Sequence, residues 1–337
     1  MKRHIKWIAA GIISLSLVAC SAGSSDIKST ASEQSGYPIT VEHAFGKTVI
    51  EEKPERVASI GWGNQDAALA LGVAPVGVSK GNFGKLTDSG LLPWTQAAFE
   101  ELGVKDPVVF DDTDGLDFEA ISDVQPDVIL AAYSGLTQED YDTLSKIAPV
   151  IAYPDKPWQT LWAEQVTLNA KGMGLEKEGE KLVEQTKEQI AQSLKDYPQL
   201  EGKSAAFLWV DASDTSSFYA YLPTDPRAAY LTDLGLSFPQ ALQNQAKDSD
   251  TFSISLSSEH ADLLNEVDIL VTYGDDSTLE GLQKDTLFGK VPAIQRGSVV
   301  VLNSQGELAG AGTPTVLSIR ATLDDYLKVL AEAADKV

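Results

Sequence analysis

The chain has 337 residues, of which 26 are Lys or Arg and 49 are Asp or Glu, giving a formal charge of −23. That acid excess argues against a nucleic-acid partner, which needs a basic surface to displace counterions from phosphate; 43% hydrophobic and 22% charged residues exclude a wholly disordered chain. One cysteine and three histidines exclude an intramolecular disulfide framework, a cysteine-based zinc cage and a histidine-rich metal site.

Lys2, Arg3, His4 and Lys6 make a basic start, and residues 7–19 carry no charge. Thirteen uncharged residues cannot span a bilayer, which needs about 20 apolar ones, but they suit the apolar region of a secretory signal. The run ends in Leu17-Val18-Ala19-Cys20, which resembles a bacterial lipobox. The expectation is a signal peptide over 1–19 and a diacylglyceryl group on Cys20, which cleavage leaves as the new N-terminus. Residues 20–36 are rich in Ser and read as a flexible tether. No later stretch is long enough to span, so the rest is expected as a soluble body held on the extracytoplasmic face of the cell membrane.

In that body, 39–41 and 48–50 flank Phe45-Gly46-Lys47 as a β-hairpin. A buried strand is predicted over 56–60, a short helix over 66–71 ending at Gly72, and strands over 73–78, 108–110, 128–132 and 150–152. Short apolar runs alternating with helices indicate parallel α/β units. A second set brings strands over 205–210, 218–221, 269–272 and 299–302, and helices over 226–234, 261–265 and 315–333. Between the sets, Leu182, Val183, Thr186, Ile190, Leu194 and Tyr197 form one helical stripe. It predicts a single helix over 176–197, about 33 Å long, stopped by Pro198 and Gly202. The fold class is therefore α/β, with two Rossmann-like lobes, 37–175 and 198–337, joined by one long helix.

The two lobes echo each other. Leu116-Asp117-Phe118-Glu119 precedes Asp127-Val128-Ile129-Leu130, and Leu256-Ser257-Ser258-Glu259 precedes Asp268-Ile269-Leu270-Val271. Each pairs a helix opening on Glu with a following buried strand. An acid in a first helical turn is favoured by the helix dipole alone.

Catalytic signatures are missing. There is no G-x-S-x-G elbow, P-loop or H-E-x-x-H, and Gly61-Trp62-Gly63 lacks the third glycine of a dinucleotide fingerprint. His43 and His260 read as surface histidines, so no enzyme is expected. Aromatics are more informative, because ligands of open α/β sheets bind beyond the carboxyl ends of strands. Trp62, Tyr133 and Tyr153 directly follow predicted strands, Trp158 lies beyond the last of these, and Trp94 sits in a loop after Pro93. In the second set Tyr219 and Tyr273 occupy equivalent places, while Trp209, inside a strand, reads as core.

Order and spacing of several segments now carry a resemblance. They are Pro54-Glu55-Arg56-Val57-Ala58-Ser59, then 66–78 with Leu71-Gly72-Val73-Ala74-Pro75-Val76-Gly77-Val78, Gln125-Pro126-Asp127-Val128-Ile129-Leu130-Ala131, Ser134-Gly135-Leu136-Thr137, Leu144-Ser145-Lys146-Ile147-Ala148-Pro149, and Asp225-Pro226-Arg227. Over roughly 37–330 the chain is similar to the iron–siderophore solute-binding lipoproteins of ABC importers. That resemblance implies a class III solute-binding-protein fold whose lobes move little on capture, acting as a monomer with an ABC permease dimer and its cytoplasmic ATPase. It implies that Glu119 and Glu259 dock onto basic residues of the two permease subunits. It also implies a ferric siderophore as ligand, with the iron wrapped by the chelate and no cofactor or metal ligand from the protein. A hydroxamate or mixed carboxylate siderophore is favoured, since the acid excess weighs against highly anionic chelates and towards neutral or cationic ones such as many ferric hydroxamates. The ligand set expected is Trp62, Trp94, Tyr133, Tyr153, Trp158, Tyr219, Arg227 and Tyr273, with Arg227 as the cationic contact. Two alternatives stay open: a haem carrier, and a sensory or adhesive lipoprotein on the same fold.

Overall fold

The computed structural model describes residues 36–337 apart from Ala212 and Asp248. The signal, Cys20 and nearly all of the tether expected from the sequence lie outside the described residues. Gly36–Val337 forms one compact unit, and among the described residues no helix is long and apolar enough to cross a membrane.

The unit opens with the antiparallel hairpin β1 (Ile39–His43) and β2 (Gly46–Ile50). A parallel sheet follows from β3 (Val57–Ser59), β4 (Gly77–Ser79), β5 (Val109–Phe110), β6 (Val128–Ala131) and β7 (Val150–Ala152), in the order β5-β4-β3-β6-β7. Its strands are short and buried on both faces, as helix-covered parallel strands must be. The second sheet uses β8 (Ala205–Asp211), β9 (Asp214–Tyr221), β10 (Ser253–Ser257), β11 (Ile269–Gly274) and β12 (Val299–Asn303), in the order β10-β9-β8-β11-β12. Here β8, β11 and β12 are parallel, but β9 returns antiparallel from β8. The second lobe is thus mixed rather than parallel, because only a short turn separates β8 from β9 and a parallel crossover needs a dozen residues or more.

The long connecting helix runs Glu176–Ser193, with Leu182, Val183, Thr186 and Ile190 buried. It ends four residues earlier than its apolar stripe suggested. Leu194–Asp196 tightens into a 3-10 turn and Tyr197, placed before Pro198, leaves the helical region at φ −126°, ψ 58°. Its contact with the helix Trp162–Gly172 is close: a Cβ on Gly179 would stand 2.4 Å from that of Ala170. The last helix, Val316–Ala334, packs against the connecting helix, against the helices Asn64–Ala70 and Pro93–Glu101 of the first lobe, and against β11 and β12 of the second. One hydrophobic cluster therefore runs through both lobes, from Leu69 and Phe99 to Phe207 and Leu323.

Candidate functional site: the cleft between the lobes

In the first sheet the chain leaves β3 towards β4 and β5, then returns to lay β6 on the other side of β3. Crossovers diverge there, which opens a crevice at the strand ends. Trp62 follows β3 and Tyr133 follows β6. Gly61 lets the two ends approach: at φ 75° it sits where a Cβ would be 2.7 Å from the Tyr133 carbonyl oxygen. Asn64, fully buried, ties them. Its Nδ2 donates to the carbonyls of Ile60 (2.8 Å) and Tyr133 (2.9 Å), and its Oδ1 accepts from the Tyr133 N–H (3.0 Å).

The second sheet repeats the device, with β8 and β11 as the diverging pair. Tyr273 lies near the end of β11 and Trp209 near the end of β8, their rings 5.9 Å apart. Arg227 stands over the Tyr221 ring at 3.9 Å, a cation–π distance. Asp225 holds it: Nε donates to Oδ1 at 2.8 Å and Nη2 to Oδ2 at 2.7 Å. The same carboxylate caps the helix Pro226–Asp233 through the Arg227 N–H (2.8 Å). Asp225 is fully buried; burial pushes its carboxyl up and the guanidinium opposes that shift. Burial also works against the Arg227 charge, but the Asp225 bonds win and hold its pKa above the ordinary value.

Between these walls lies a cavity of about 680 Å³. Trp62, Tyr133, Trp158 and Phe83 line it from the first lobe; Trp209, Tyr221, Arg227, Phe252 and Tyr273 line it from the second. Trp62 Nε1 donates across the lobes to the Thr313 carbonyl (3.2 Å), and the Phe83 and Tyr273 rings meet edge-on at 4.8 Å. Burial pushes the Tyr273 hydroxyl up to about 12 and raises those of Tyr133 and Tyr221, so these tyrosines are neutral donors. Ser79, bonded to Asp112, adds a polar edge. A second hollow of about 770 Å³ is walled by the second lobe alone, with Asp275, Ser277 and Asn303 among its lining residues. Among the described residues, no group of three His, Cys, Asp or Glu side chains could hold a metal ion.

Five of the eight expected ligand residues surround the cavity: Trp62, Tyr133, Trp158, Arg227 and Tyr273. Three do not line it. Trp94 is the second residue of the helix Pro93–Glu101, not of a loop, and its Nε1 donates to buried Asp66 (3.0 Å). Tyr153 is buried beside the hairpin, with its ring against Phe45 (5.2 Å) and its hydroxyl on the Leu136 carbonyl (2.9 Å). Tyr219 stands opposite Trp209 on β9, 45% exposed; Tyr221, two residues further on the same strand face, is the tyrosine that reaches the cavity. Trp209 corrects the core assignment: it is 43% exposed, because near the end of β8 its ring faces the open cavity. Glu119 and Glu259 are both exposed second residues of their helices, behind the caps Asp117 and Ser257. Cys20 lies outside the described residues.

The geometry can be set beside known proteins. A family model described as Periplasmic binding protein matches residues 57–305. The solved structure of PiaA from Streptococcus pneumoniae in complex with ferrichrome is 51% identical, covers 89% of this chain and 99% of its own, and superposes with a TM-score of 0.86. Two proteins of Bacillus subtilis are also similar. The probable siderophore-binding lipoprotein YfiY is 27% identical over 83% of this chain and 82% of its own length. The putative ABC transporter substrate-binding lipoprotein YhfQ is 25% identical over 89% and 90%.

Proposed function

We propose a function from one established premise: the chain belongs to the periplasmic binding protein family. It is a binding component and not an enzyme. It captures a ferric siderophore outside the cytoplasm and delivers it to an ABC importer, and the favoured ligand is a neutral ferric hydroxamate of the ferrichrome kind. The observation that carries this is the interlobe cavity, walled by aromatics from both sheets around a single guanidinium.

Such a site suits a metal chelate. The siderophore fills the iron's coordination shell, so the protein supplies walls and a few donors. Asp225 engages Nε and Nη2 of Arg227, and among the described residues Nη1 has no partner. Nη1 and the neutral hydroxyls of Tyr133 and Tyr273 are donors for hydroxamate oxygens. Asp225 also cancels the guanidinium charge locally, so the cavity offers hydrogen bonds with little net attraction for a polyanionic catecholate. PiaA, whose structure holds ferrichrome, supports the same class. Haem is less favoured: tyrosines line the cavity, but His43, His260 and Met173 lie outside its lining, so no Tyr-His or Met-His pair stands there.

Delivery follows from the matched acidic residues. Glu119 and Glu259 dock onto basic residues of the two permease subunits, one from each lobe, and Cys20 ties the carrier to the membrane. Titration with ferrichrome tests the ligand. Trp62, Trp158 and Trp209 line the cavity, so intrinsic fluorescence should be quenched at submicromolar ligand, with ferric catecholates at least tenfold weaker. A lack of quenching below micromolar ferrichrome overturns the reading. Glu119→Arg and Glu259→Arg should each slow iron uptake by cells while leaving that titration unchanged.

A further inference from the structure

Residues 154–160 leave β7 and pass the rim of the cleft. Within them Trp158 has φ 61°, one of only two non-glycine residues with positive φ among those described. The left-handed region is disfavoured for a bulky side chain, and such outliers persist only where their surroundings over-determine them.

What holds Trp158 is the tripeptide after β6. Its N–H donates to the Ser134 carbonyl (3.1 Å), and its indole meets the Tyr133 ring edge-on at 5.3 Å. Between these contacts the indole lies on Gly135: a Cβ there would stand 2.5 Å from Nε1 and 2.7 Å from Cε2 and Cζ2. The φ of Gly135 is not in the left-handed region. A left-handed backbone is therefore not what calls for glycine here, and the three atoms nearest to a Cβ at this position all belong to the indole.

The flanks of Trp158 are held from the opposite lobe. Lys156 Nζ and Gln159 Nε2 both donate to the Asp250 carbonyl, at 3.3 and 3.2 Å, and Lys156 pairs with the Asp250 carboxylate at 3.4 Å. Asp250 precedes β10 in the second lobe. One short segment thus carries a wall of the cavity and a tie across its mouth.

We infer that Gly135 is a positioning residue for ligand capture: it is the seat that lets Trp158 lie as a wall of the cleft, and the tie to Asp250 holds that wall against the bound chelate. This rests on the ligand reading above. Ferrichrome binding to the purified protein, followed by calorimetry alongside thermal unfolding, tests it through a double-mutant cycle. Gly135→Ala should weaken ferrichrome at least tenfold in the presence of Trp158. On a Trp158→Ala background the same change should cost less than twofold, because the methyl then has room, and the double variant should unfold with Trp158→Ala.

Wild-type affinity in Gly135→Ala overturns the seat, as does an equal loss on both backgrounds. Unchanged affinity in Trp158→Ala would instead remove the wall, and the inference falls with it. The double variant Lys156→Ala/Gln159→Ala should release ferrichrome several-fold faster in stopped flow at unchanged association rate. An unaltered release rate overturns the tie.

Discussion

The two lobes meet both behind the cleft and across its mouth. Behind it, Asp66 is fully buried. Its carboxylate accepts from Trp94 Nε1 (3.0 Å) and Thr95 Oγ1 (2.7 Å) of its own lobe and from Thr315 Oγ1 at the start of the last helix. At the mouth, Lys85 meets Glu307 at 2.7 Å and Lys156 meets Asp250 at 3.4 Å, all with side chains at least one-third exposed. Water replaces a partner at the mouth at little cost, whereas in the seam a broken bond leaves a buried polar group unpaired. The buried seam is therefore expected to hold the lobes more firmly than the exposed ion pairs at the mouth do.

The largest effect should come from breaking the seam. Asp66→Ala removes the acceptor for three buried donors, two on Trp94 and Thr95 and one on Thr315. At about 1–3 kcal/mol per unsatisfied group, partly relieved by hydroxyl rotation, the loss should be about 3 kcal/mol in urea unfolding. A loss below 1 kcal/mol would mean that apolar packing of the last helix alone fixes the lobes.

Asp66 also gives the seam a pH signature. Burial pushes its pKa up to about 6, against which its three hydrogen bonds pull it back. A carboxyl raised in the folded state binds its proton more tightly there than in the unfolded chain. Its contribution is fully present below about pH 4 and is lost as pH rises through about 6, an amount of about 3 kcal/mol. Wild-type stability should therefore fall relative to Asp66→Asn between pH 4 and 7. Parallel stability profiles for the two proteins would show that Asp66 does not titrate in this window.

Much of this arrangement was legible from residue pattern, and the seam was not. Short apolar runs gave the strands of the first sheet and all of the second except β10, because strands covered on both faces are apolar throughout, and the 182–190 stripe gave the connecting helix, because burial on one face leaves a periodic trace. The Asp225-Pro226-Arg227 run marked a capped helix start, and its arginine does reach the cavity. Asp66, by contrast, looks like any acid in a first helical turn. Its burial depends on the helices Pro93–Glu101 and Val316–Ala334 arriving from 29 and some 250 residues away, and no local pattern encodes that meeting. Trp94 was misplaced for the same reason: its partner is Asp66, not a ligand. Tyr221 left a usable sign, since it shares a strand face with Tyr219 and shortly precedes Arg227.

A smaller test of the seam is steric. Gly63 has φ 70°, and a Cβ on it would stand 2.3 Å from Thr315 Cγ2. Gly63→Ala combines a disfavoured backbone with overpacking against the other lobe and should cost about 2 kcal/mol. Pairing it with Thr315→Ser, which removes the offending methyl but keeps the hydroxyl on Asp66, should recover part of that loss. If nothing is recovered, the cost is backbone strain alone and the contact between lobes is not tight.

The smallest effect belongs to the mouth. Lys85 and Glu307 are 58% and 50% exposed, so Lys85→Ala should change unfolding stability by less than about 0.5 kcal/mol. The backbone bond from the Lys85 N–H to the Gly306 carbonyl (3.2 Å) survives the substitution, as does the close approach of Gly84 to Gly310, where a Cβ would stand 2.8 Å from the Gly310 nitrogen. Ferrichrome release measured by stopped flow should quicken no more than about twofold, and 0.5 M salt should reproduce that change in the wild type by screening the pair. A stability loss approaching that of Asp66→Ala would erase the contrast, because an exposed pair would then hold the lobes as firmly as the buried seam.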